Sequence, residues 1–311
     1  GMDTRHNPEF TTIELYQAFT DYHGMMDITE DMVIHVCEKV LGGTKVMYQG
    51  TEIDFTKGWK RMTMAEAVKE YAGIDFMALS PEEALEAVKA KGLEIEKGKE
   101  SWGDLMSLCY DEYVEENLMQ PTFITDYPVE MSPLTKMHRS KPGLTERFEL
   151  MVNGKELANA YSELNDPLDQ EERFKEQMRL ADKGDDEAMI IDQDFLRALQ
   201  YGMPPTSGIG IGIDRLVMLM TGQTTIQEVL FFPQMRPEKV VKKDAAAKYM
   251  ELGIAEDWVP GIQKAGYNTV ADMKDVNPQK LHQDICDINK KYKLELTNPS
   301  VNDVTEWIQK I

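Results

Sequence analysis

The stretch Gly208-Ile-Gly-Ile-Gly-Ile-Asp-Arg215 alternates glycine with isoleucine and ends on two charged residues. Alternation with a period of two is typical of a β-strand with one buried face. The isoleucines then face the core, and the glycines leave the other face bare, so that a flat ligand could approach the backbone closely. We predict a strand over 208–213 and a helix over 214–220, with Arg215 in the first turn of that helix.

The position of Arg215 indicates a ligand. The first turn of a helix is electropositive and disfavours a cation, so an anionic or aromatic ligand explains an arginine there better than the helix does. The segment is not a Rossmann or Walker loop, because the required spacing and the lysine are missing. A barrel-corner or packing role for the glycines explains the pattern equally well, and the residues alone leave both explanations open.

Two more strands are predicted over 145–152 and 155–164, on either side of Asn153-Gly154, the strongest short signal for a β-hairpin. A straight hairpin places Glu149 opposite Ala158 and diagonal to Glu156 on one face. Two such carboxylates repel each other unless a cation lies between them, and Mg²⁺ bridging nucleotide phosphates suits this pair of ligands. A solvated strand face with alternating charges is the alternative.

A second set of polar residues follows on the same strand. Asn159, Tyr161 and Glu163 recur at intervals of two and share a face. In a straight strand that face lies opposite to Glu156, so one common site requires a β-bulge near 157–159. A buried Glu163 beside a tyrosine hydroxyl would select an amine, because other ligands would leave buried polar groups unpaired.

The segment 5–10 reads Arg-His-Asn-Pro-Glu-Phe and runs into an alternating strand predicted over 10–19. Arginine and histidine at its start are suited to phosphate, since both donate hydrogen bonds. The phenylalanine could stack on a nucleobase, and Glu14 with Tyr16 on one strand face could hold an ammonium group. A polar loop followed by an amphipathic strand is the plainer interpretation.

Helices are predicted from apolar periodicity and from capping patterns. The sequence indicates a helix over 25–41 and a helical insertion at about 63–118, in which Thr63 with Glu66 and Ser80 with Glu83 form capping boxes. The other predicted segments are a helix from about 104 to 117, a short strand over 122–125, a helix from 167 to about 182, one from Asp192 to near Gly202, and a linking helix over 242–252.

Charge and cysteine content limit the possible functions. The chain has 311 residues, 34 basic against 55 acidic side chains, and a formal net charge of −21. That balance argues against a sequence-independent DNA coat, which needs a basic surface. Residues 240–311 hold ten lysines and eleven acidic residues, so residues 1–239 carry nearly all of the charge.

The three cysteines lie far apart in the sequence, which favours a reducing, cytoplasmic setting. No apolar run is long enough for a membrane helix.

In this order, the motifs resemble the class II aminoacyl-tRNA synthetases and, within them, the lysyl-tRNA synthetase family. The similar segments are 5–11 with 14–16, 120–128, 147–149, 162–166, 184–188, 202–205 and 208–215. The resemblance covers roughly residues 3–239 and implies an α+β fold, in which helices flank an antiparallel sheet. We expect residues 1–239 to form that catalytic domain and 240–311 a small helical module, weakly similar to helix-hairpin-helix modules, with either nucleic-acid contact or docking as its role.

The resemblance implies a role for each matching residue. Arg5 and His6 would contact the ATP phosphates with Asn7 nearby, Phe10 would stack under adenine, and Arg215 would cover its other face. His6 and Arg215 are the expected catalytic residues, and Glu149 and Glu156 would hold Mg²⁺. The lysine-binding residues implied are Glu14, Tyr16, Asn159, Tyr161 and Glu163. In the implied reaction, lysine and ATP give lysyl-adenylate and pyrophosphate, and the lysyl group is then transferred to tRNA(Lys).

The chain departs from the family pattern at its start. We expect it to be a C-terminal fragment with little activity alone, because motif 1, the first strand of motif 2 and the anticodon-binding domain are not found in it; the full-length protein would be a homodimer. One alternative is the short synthetase paralogue that lysylates a translation factor. Another is a non-catalytic interaction protein, although Glu149, Glu156 and Arg215 are all retained. Aspartyl- and asparaginyl-tRNA synthetases share the fold, but Tyr16 and Glu163 suit a cationic substrate.

Overall fold

The computed structural model describes residues 3–4, 6–181, 191–234 and 243–311, without the side chains of 179–181. Arg5 and the segment 184–188 therefore lie outside the described residues. The chain divides into two compact units, Gly1–Gln234 and Met235–Ile311.

The first unit is built on a six-stranded sheet in the order β1-β8-β7-β6-β5-β4. The strands are β1 (Thr12–Ala18), β2 (Lys45–Tyr48), β3 (Thr51–Asp54), β4 (Lys60–Thr63), β5 (Thr122–Thr125), β6 (Arg147–Met151), β7 (Glu156–Ser162) and β8 (Thr206–Gly212). Strands β2 and β3 form a separate hairpin, which the sequence analysis missed together with β4. Neighbours in the large sheet are antiparallel except β4 and β5, which are parallel.

The helices of this unit are α1 (Tyr22–Leu41), α2 (Met64–Ala72), α3 (Pro81–Ala90), α4 (Trp102–Tyr113), α5 (Pro167–Ala181), α6 (Gln193–Gln200) and α7 (Ile213–Thr221). The capping boxes at Thr63 and Ser80 are confirmed, and the Asp192 side chain caps α6 as predicted. Helix α4 ends at Tyr113, four residues before the predicted end, and a short 3₁₀ turn follows. Helices α2 to α4 form the crossover that joins the parallel strands β4 and β5, because such strands cannot be connected by a tight turn.

One face of the sheet packs onto the main core. Ile209 and Ile211 are buried there as predicted, together with Ala158 and Ala160 of β7 and side chains of α1 and α7. Ile213, which was predicted to end the strand facing the core, instead begins α7. A second core lies among α2, α3 and α4. The opposite face of β8 bears the glycines, which add no side chains there.

The hairpin between β6 and β7 contains a bulge. Asn153 and Gly154 both have positive φ, 51° and 65°, and Val152 pairs with Lys155 across the two-residue turn. Met151 pairs with Glu156 but Leu150 pairs with Ala158, so Leu157 is the additional residue. The predicted pairing of Glu149 with Ala158 is therefore wrong, because the bulge shifts its partner to Asn159. The bulge itself lies within the predicted segment 157–159.

The second unit is helical in its described part, residues 243–311. Its helices are α8 (Ala246–Glu251), α9 (Val259–Lys264), α10 (Pro278–Tyr292) and α11 (Val301–Gln309). The predicted helix over 242–252 is wrong in its start, because Asp244 is held outside the helix by the backbone N–H of Val270. Within the described ranges, none of the helices has both the length and the apolar character to cross a membrane.

Candidate functional site

The bare face of β8 lies between two strands that carry polar side chains. The register pairs each glycine with two predicted site residues: Gly208 with Tyr16 and Tyr161, and Gly210 with Glu14 and Asn159. Residues that pair directly across a sheet point to the same face. The sheet therefore brings predicted site residues from two distant segments together at the glycine track, which consists of Gly208, Gly210 and Gly212.

Tyr16 and Glu163 meet over Gly208. A Cβ atom there would collide with Glu163 Oε1 and would lie 2.5 Å from Tyr16 Cε1, so both side chains could keep their positions only over a glycine. Glu163 Oε1 is buried and has no hydrogen-bond partner among the described residues. Burial raises the pKa of Glu163 to about 7. A buried carboxylate oxygen without a partner is expensive, and a bound cation would stabilise it.

The tyrosines around this pocket are also perturbed. Burial, followed by the charges of Glu14 and Glu163, raises the pKa of Tyr16. Burial, and after it the charge of Glu163, raises the pKa of Tyr161 to about 12. Both phenols therefore stay neutral at physiological pH and can serve as hydrogen-bond partners for a ligand. The pocket has net negative charge, which suits a cationic ligand.

Glu149 lies beside Arg147 on β6. The Arg147 Nη2 donates to Glu149 Oε1 at 2.6 Å. Burial raises the pKa of Glu149 to about 7; the Arg147 charge opposes that shift and the Glu156 charge adds to it. The bulge at Leu157 turns Glu156 to the same face, so the two predicted metal ligands are close enough to interact.

The described residues contain no group of three or more histidine, cysteine, aspartate or glutamate side chains able to hold a metal ion. Two carboxylates alone form a partial set of hard oxygen ligands. Mg²⁺ keeps several waters and takes phosphate oxygens besides one or two carboxylates. Glu149 and Glu156 therefore fit a Mg²⁺ ion that arrives with a nucleotide.

Two adjoining cavities share Glu156 in their lining. One, of about 310 Å³, is lined by Phe10, Asn159, Gly212 and Arg215 among others. Phe10 is 63% exposed, so its ring is available for stacking. The Arg215 Nη1 donates to the backbone oxygen of Glu156 at 2.6 Å, which fixes the guanidinium at the cavity edge.

The second cavity, of about 430 Å³, shares His6, Glu156 and Arg215 with the first. Lys155, Glu115 and Glu116 also line it, so it offers cationic side chains together with three carboxylates. The His6 ring is hydrogen-bonded to the Asp3 carboxylate, with Nδ1 2.8 Å from Oδ2. This combination of charges suits a polyphosphate with a bound metal ion.

Asn7 differs from the other predicted residues because its amide is engaged within the protein. Its Nδ2 donates to the backbone oxygen of Glu9 at 2.6 Å, and its Oδ1 accepts from the backbone N–H of Gln234 at 3.3 Å. Asn7 is 5% exposed, so it holds the loop in place. Asn7 therefore supports the cavity wall, and its amide is already bonded within the protein.

Sequence reasoning missed Arg147 as a site residue. It lies in the segment 147–149 that resembles the family, two positions before Glu149 and on the same strand face. That spacing was the available signal. Sequence reasoning also missed Tyr127, whose ring lies 4.6 Å from the Arg147 guanidinium and whose pKa is raised well above its usual value by burial.

Comparison with known families and proteins adds to this geometry. The family described as tRNA synthetases class II (D, K and N) matches residues 1–236. A domain of unknown function (DUF4332) matches residues 211–311. The first match includes all of the described sheet and both cavities.

Curated relatives carry the name lysine–tRNA ligase. One from Porphyromonas gingivalis strain W83 is 56% identical over 309 residues, covering 99% of this chain and 53% of the relative. One from Clostridium novyi is 57% identical over 242 residues, covering 77% and 48%. One from Thermoanaerobacter pseudethanolicus is 54% identical over 239 residues, covering 76% and 48%. The chain thus spans about half the length of the curated relatives it matches.

Proposed function

The chain belongs to the class II tRNA synthetases, and from that family we propose for it the activity of a lysine–tRNA ligase. The substrates proposed are ATP, L-lysine and tRNA(Lys). The relatives' name supports this activity, and so does the match of the family to residues 1–236. The choice of lysine within the family needs an argument from the site itself.

The observation that carries the choice is Glu163 Oε1, which is buried and has no hydrogen-bond partner in the part of the chain that the structure describes. An ε-ammonium group would pair with this oxygen and remove its desolvation penalty. Tyr16 lies beside it over Gly208 and offers its ring and hydroxyl to the same cation. Aspartate and asparagine bring no cationic side chain, so they would leave the oxygen unpaired.

The rest of the site is assigned by what each group can hold. Glu14 would bind the α-amino group of lysine, and Asn159 and Tyr161 would complete the amino-acid pocket. Phe10 and Arg215 would enclose adenine, while Arg5 and His6 would contact the phosphates; Arg5 is assigned from its sequence position alone. The lysine carboxylate then attacks the α-phosphorus, the bond to the β-phosphate oxygen breaks, and pyrophosphate leaves.

Mg²⁺ held by Glu149 and Glu156 would neutralise the phosphate charges during this displacement. No side chain becomes covalently linked and no residue needs to transfer a proton. The protein's contribution is to place the carboxylate in line with the α-phosphorus and to stabilise the charge that develops. Transfer of lysine to the 3′ end of tRNA(Lys) follows.

The remaining proposals rest on the family resemblance. We propose a homodimer for the full-length protein and a cytoplasmic location, which suits three free cysteines. For residues 240–311 we propose a helix-hairpin-helix-like module. The match of a domain of unknown function to 211–311 gives that module no activity of its own.

Ligand-dependent thermal stabilisation of this chain tests the proposal. Lysine, aspartate, asparagine and Mg·ATP are each titrated, and Tm is followed. We expect lysine and Mg·ATP to raise Tm and the other two amino acids to leave it unchanged. Stabilisation by aspartate in place of lysine would overturn the choice of substrate. The reaction itself is tested by lysine-dependent exchange between ATP and pyrophosphate. This assay uses the full-length protein to which residues 1–311 belong.

A further inference from the structure

Arg147 contacts both subsites of the candidate site through one side chain. Its Nε donates to Asn159 Oδ1 at 3.1 Å, and its Nη2 donates to Glu149 Oε1 at 2.6 Å. Its side chain is only 15% exposed. The guanidinium therefore bridges the proposed amino-acid pocket and the proposed metal–phosphate pocket.

The guanidinium is also held by residues outside the two subsites. Its Nη1 donates to the backbone oxygen of Met131 at 3.0 Å and to Ser132 Oγ at 3.2 Å. The ring of Tyr127 lies 4.6 Å from its centre. A planar fork with partners at all three nitrogens and an aromatic ring against its face has one orientation available. Lysine could not reproduce this arrangement, because its ammonium is a single point charge.

The contact with Asn159 fixes which way that amide points. Arg147 has only donors, so the amide must turn its oxygen towards Nε. The Nδ2 then points away from the arginine and finds no acceptor among the described residues. Asn159 pairs with Gly210 and lines the cavity of about 310 Å³. Without the arginine, both orientations of the amide would be accessible.

We propose that Arg147 is a positioning residue that couples the two subsites. It presents the Nδ2 donor of Asn159 to the cavity and holds the carboxylate of Glu149 in place with the same rigid group. This rests on the proposed function, in which Asn159 belongs to the lysine pocket and Glu149 to the metal site. Arg147 would act through Asn159 and Glu149, with which it makes hydrogen bonds.

The test compares Arg147→Lys with Arg173→Lys. Arg173 is a matched control: its side chain is 12% exposed, it donates to the backbone oxygen of Ser132, and it pairs with Asp169 instead of a site residue. Affinities for lysine and for Mg·ATP are measured separately by calorimetry, and both variants are crystallised without ligand. We expect Arg147→Lys to weaken both ligands by about tenfold and Arg173→Lys to change each less than about twofold.

The ligand-free crystal structures decide the question independently of ligand binding. We expect Asn159 and Glu149 to shift or lose order in Arg147→Lys and to keep their positions in Arg173→Lys. Unchanged positions in Arg147→Lys, or affinities that fall no further than in Arg173→Lys, would overturn the proposal. Failure of the unsubstituted protein to bind lysine and ATP would instead refute the proposed function, and the side-chain positions would still decide the role of Arg147.

A further variant separates coupling from simple loss of a contact. Asn159→Asp keeps an acceptor for the Arg147 Nε but replaces the Nδ2 donor by an oxygen. We expect it to weaken lysine binding about tenfold in the unsubstituted background and by less than about threefold in Arg147→Lys, where the amide is no longer oriented. Equal losses in the two backgrounds would contradict coupling.

Discussion

Glu163 combines a role in ligand binding with a penalty in folding. Its pKa is raised from 4.5 to about 7 by burial, so the folded protein holds a proton there more readily than the unfolded chain does. Stability from this group is therefore full below about pH 4.5 and is lost as the pH rises towards 7. Such a shift corresponds to about 3 kcal/mol at pH 8.

Glu163→Gln should reveal this penalty. The neutral amide has no charge to desolvate, so we expect the variant to be more stable than the unsubstituted chain at pH 8, by up to about 3 kcal/mol, and similar at pH 4.5. The same variant should lose the stabilisation that lysine gives, because the ammonium partner is gone. Urea unfolding at the two pH values measures the first effect, and Tm with lysine measures the second.

Glu14→Gln is the control, since Glu14 is exposed on the neighbouring strand β1 and its removal relieves no buried charge. We expect its stability to follow that of the unsubstituted chain at both pH values. An equal gain in the two variants at pH 8 would mean that general charge reduction is responsible, since the chain carries −21.

Gly208 is where the pocket depends on the absence of a side chain. Gly208→Ala would place a methyl group against Glu163 Oε1 and the Tyr16 ring, and we expect a loss of about 1–3 kcal/mol in stability. Gly210→Ala is matched in strand and face, but its Cβ would meet only Glu14 Cγ at 3.9 Å. We expect that variant to unfold at the same urea concentration as the unsubstituted chain or slightly above it. A similar loss in both would contradict the close approach at Gly208.

At the scale of elements, short-range signals were the reliable ones. The capping boxes at Thr63 and Ser80 and the turn at Asn153-Gly154 each depend on residues within four positions of one another. Their energies are local, so the sequence alone predicts them. The start of the helix predicted at 242 failed because Asp244 bonds Val270, a contact made across 26 residues.

The bulge in β7 shows the limit of strand periodicity. Alternation predicts a straight strand, in which Glu156 and Asn159 would face opposite sides. Both Leu157 and Ala158 are buried in the core, and this burial of two consecutive residues turns Glu156 to the face of Asn159. The bulge was predicted only from the assumption that all the polar residues belong to one site. The arginine that joins them could not be recognised without the register that brings Arg147 opposite Tyr161 and next to Asn159.

The hairpin turn supports a prediction at this scale. Gly154 has φ of 65°, and a Cβ there would lie 3.2 Å from Glu116 Cα. We expect Gly154→Ala to lower the free energy of unfolding by about 2 kcal/mol, from backbone strain and from contact with backbone that cannot move freely. Gly143→Ala is the control: its φ is 82° with nothing within 4 Å of the added atom, so strain alone acts, at about 1 kcal/mol. The urea midpoints of the two variants measure these losses in stability. Equal losses would show that the contact with Glu116 is relieved by a small movement.

At the scale of the whole molecule, charge and family match divide the chain in a similar way. The synthetase family matches residues 1–236, and the division of the chain into two compact units falls after Gln234. Nearly all of the net charge of −21 belongs to the first 239 residues. Some of these acidic groups belong to the candidate site: Glu14 and Glu163 lie at the glycines of β8, and Glu156 lines both cavities. The acidic composition is thus compatible with substrates that bring a cation.

The second unit has a core of its own, which supports a prediction about its autonomy. Ile262, Leu281, Ile285 and Val304 are each at most 1% exposed, and they come from three helices and pack in one cluster. A chain of about 70 residues with a contiguous core can fold alone. We therefore expect residues 243–311, expressed separately, to be helical and to unfold in one cooperative transition, measured by circular dichroism in urea.

Two substitutions in α11 of that separate polypeptide test whether its core is the one described. Val304 is fully buried, and Val304→Ala should lower the free energy of unfolding by about 2 kcal/mol through lost burial and a small cavity. Val301 lies one turn earlier at the start of the same helix and is only half-buried, so Val301→Ala should lose less than half as much. A gradual transition, or equal losses in the two variants, would mean that residues 243–311 need the rest of the chain to form this core.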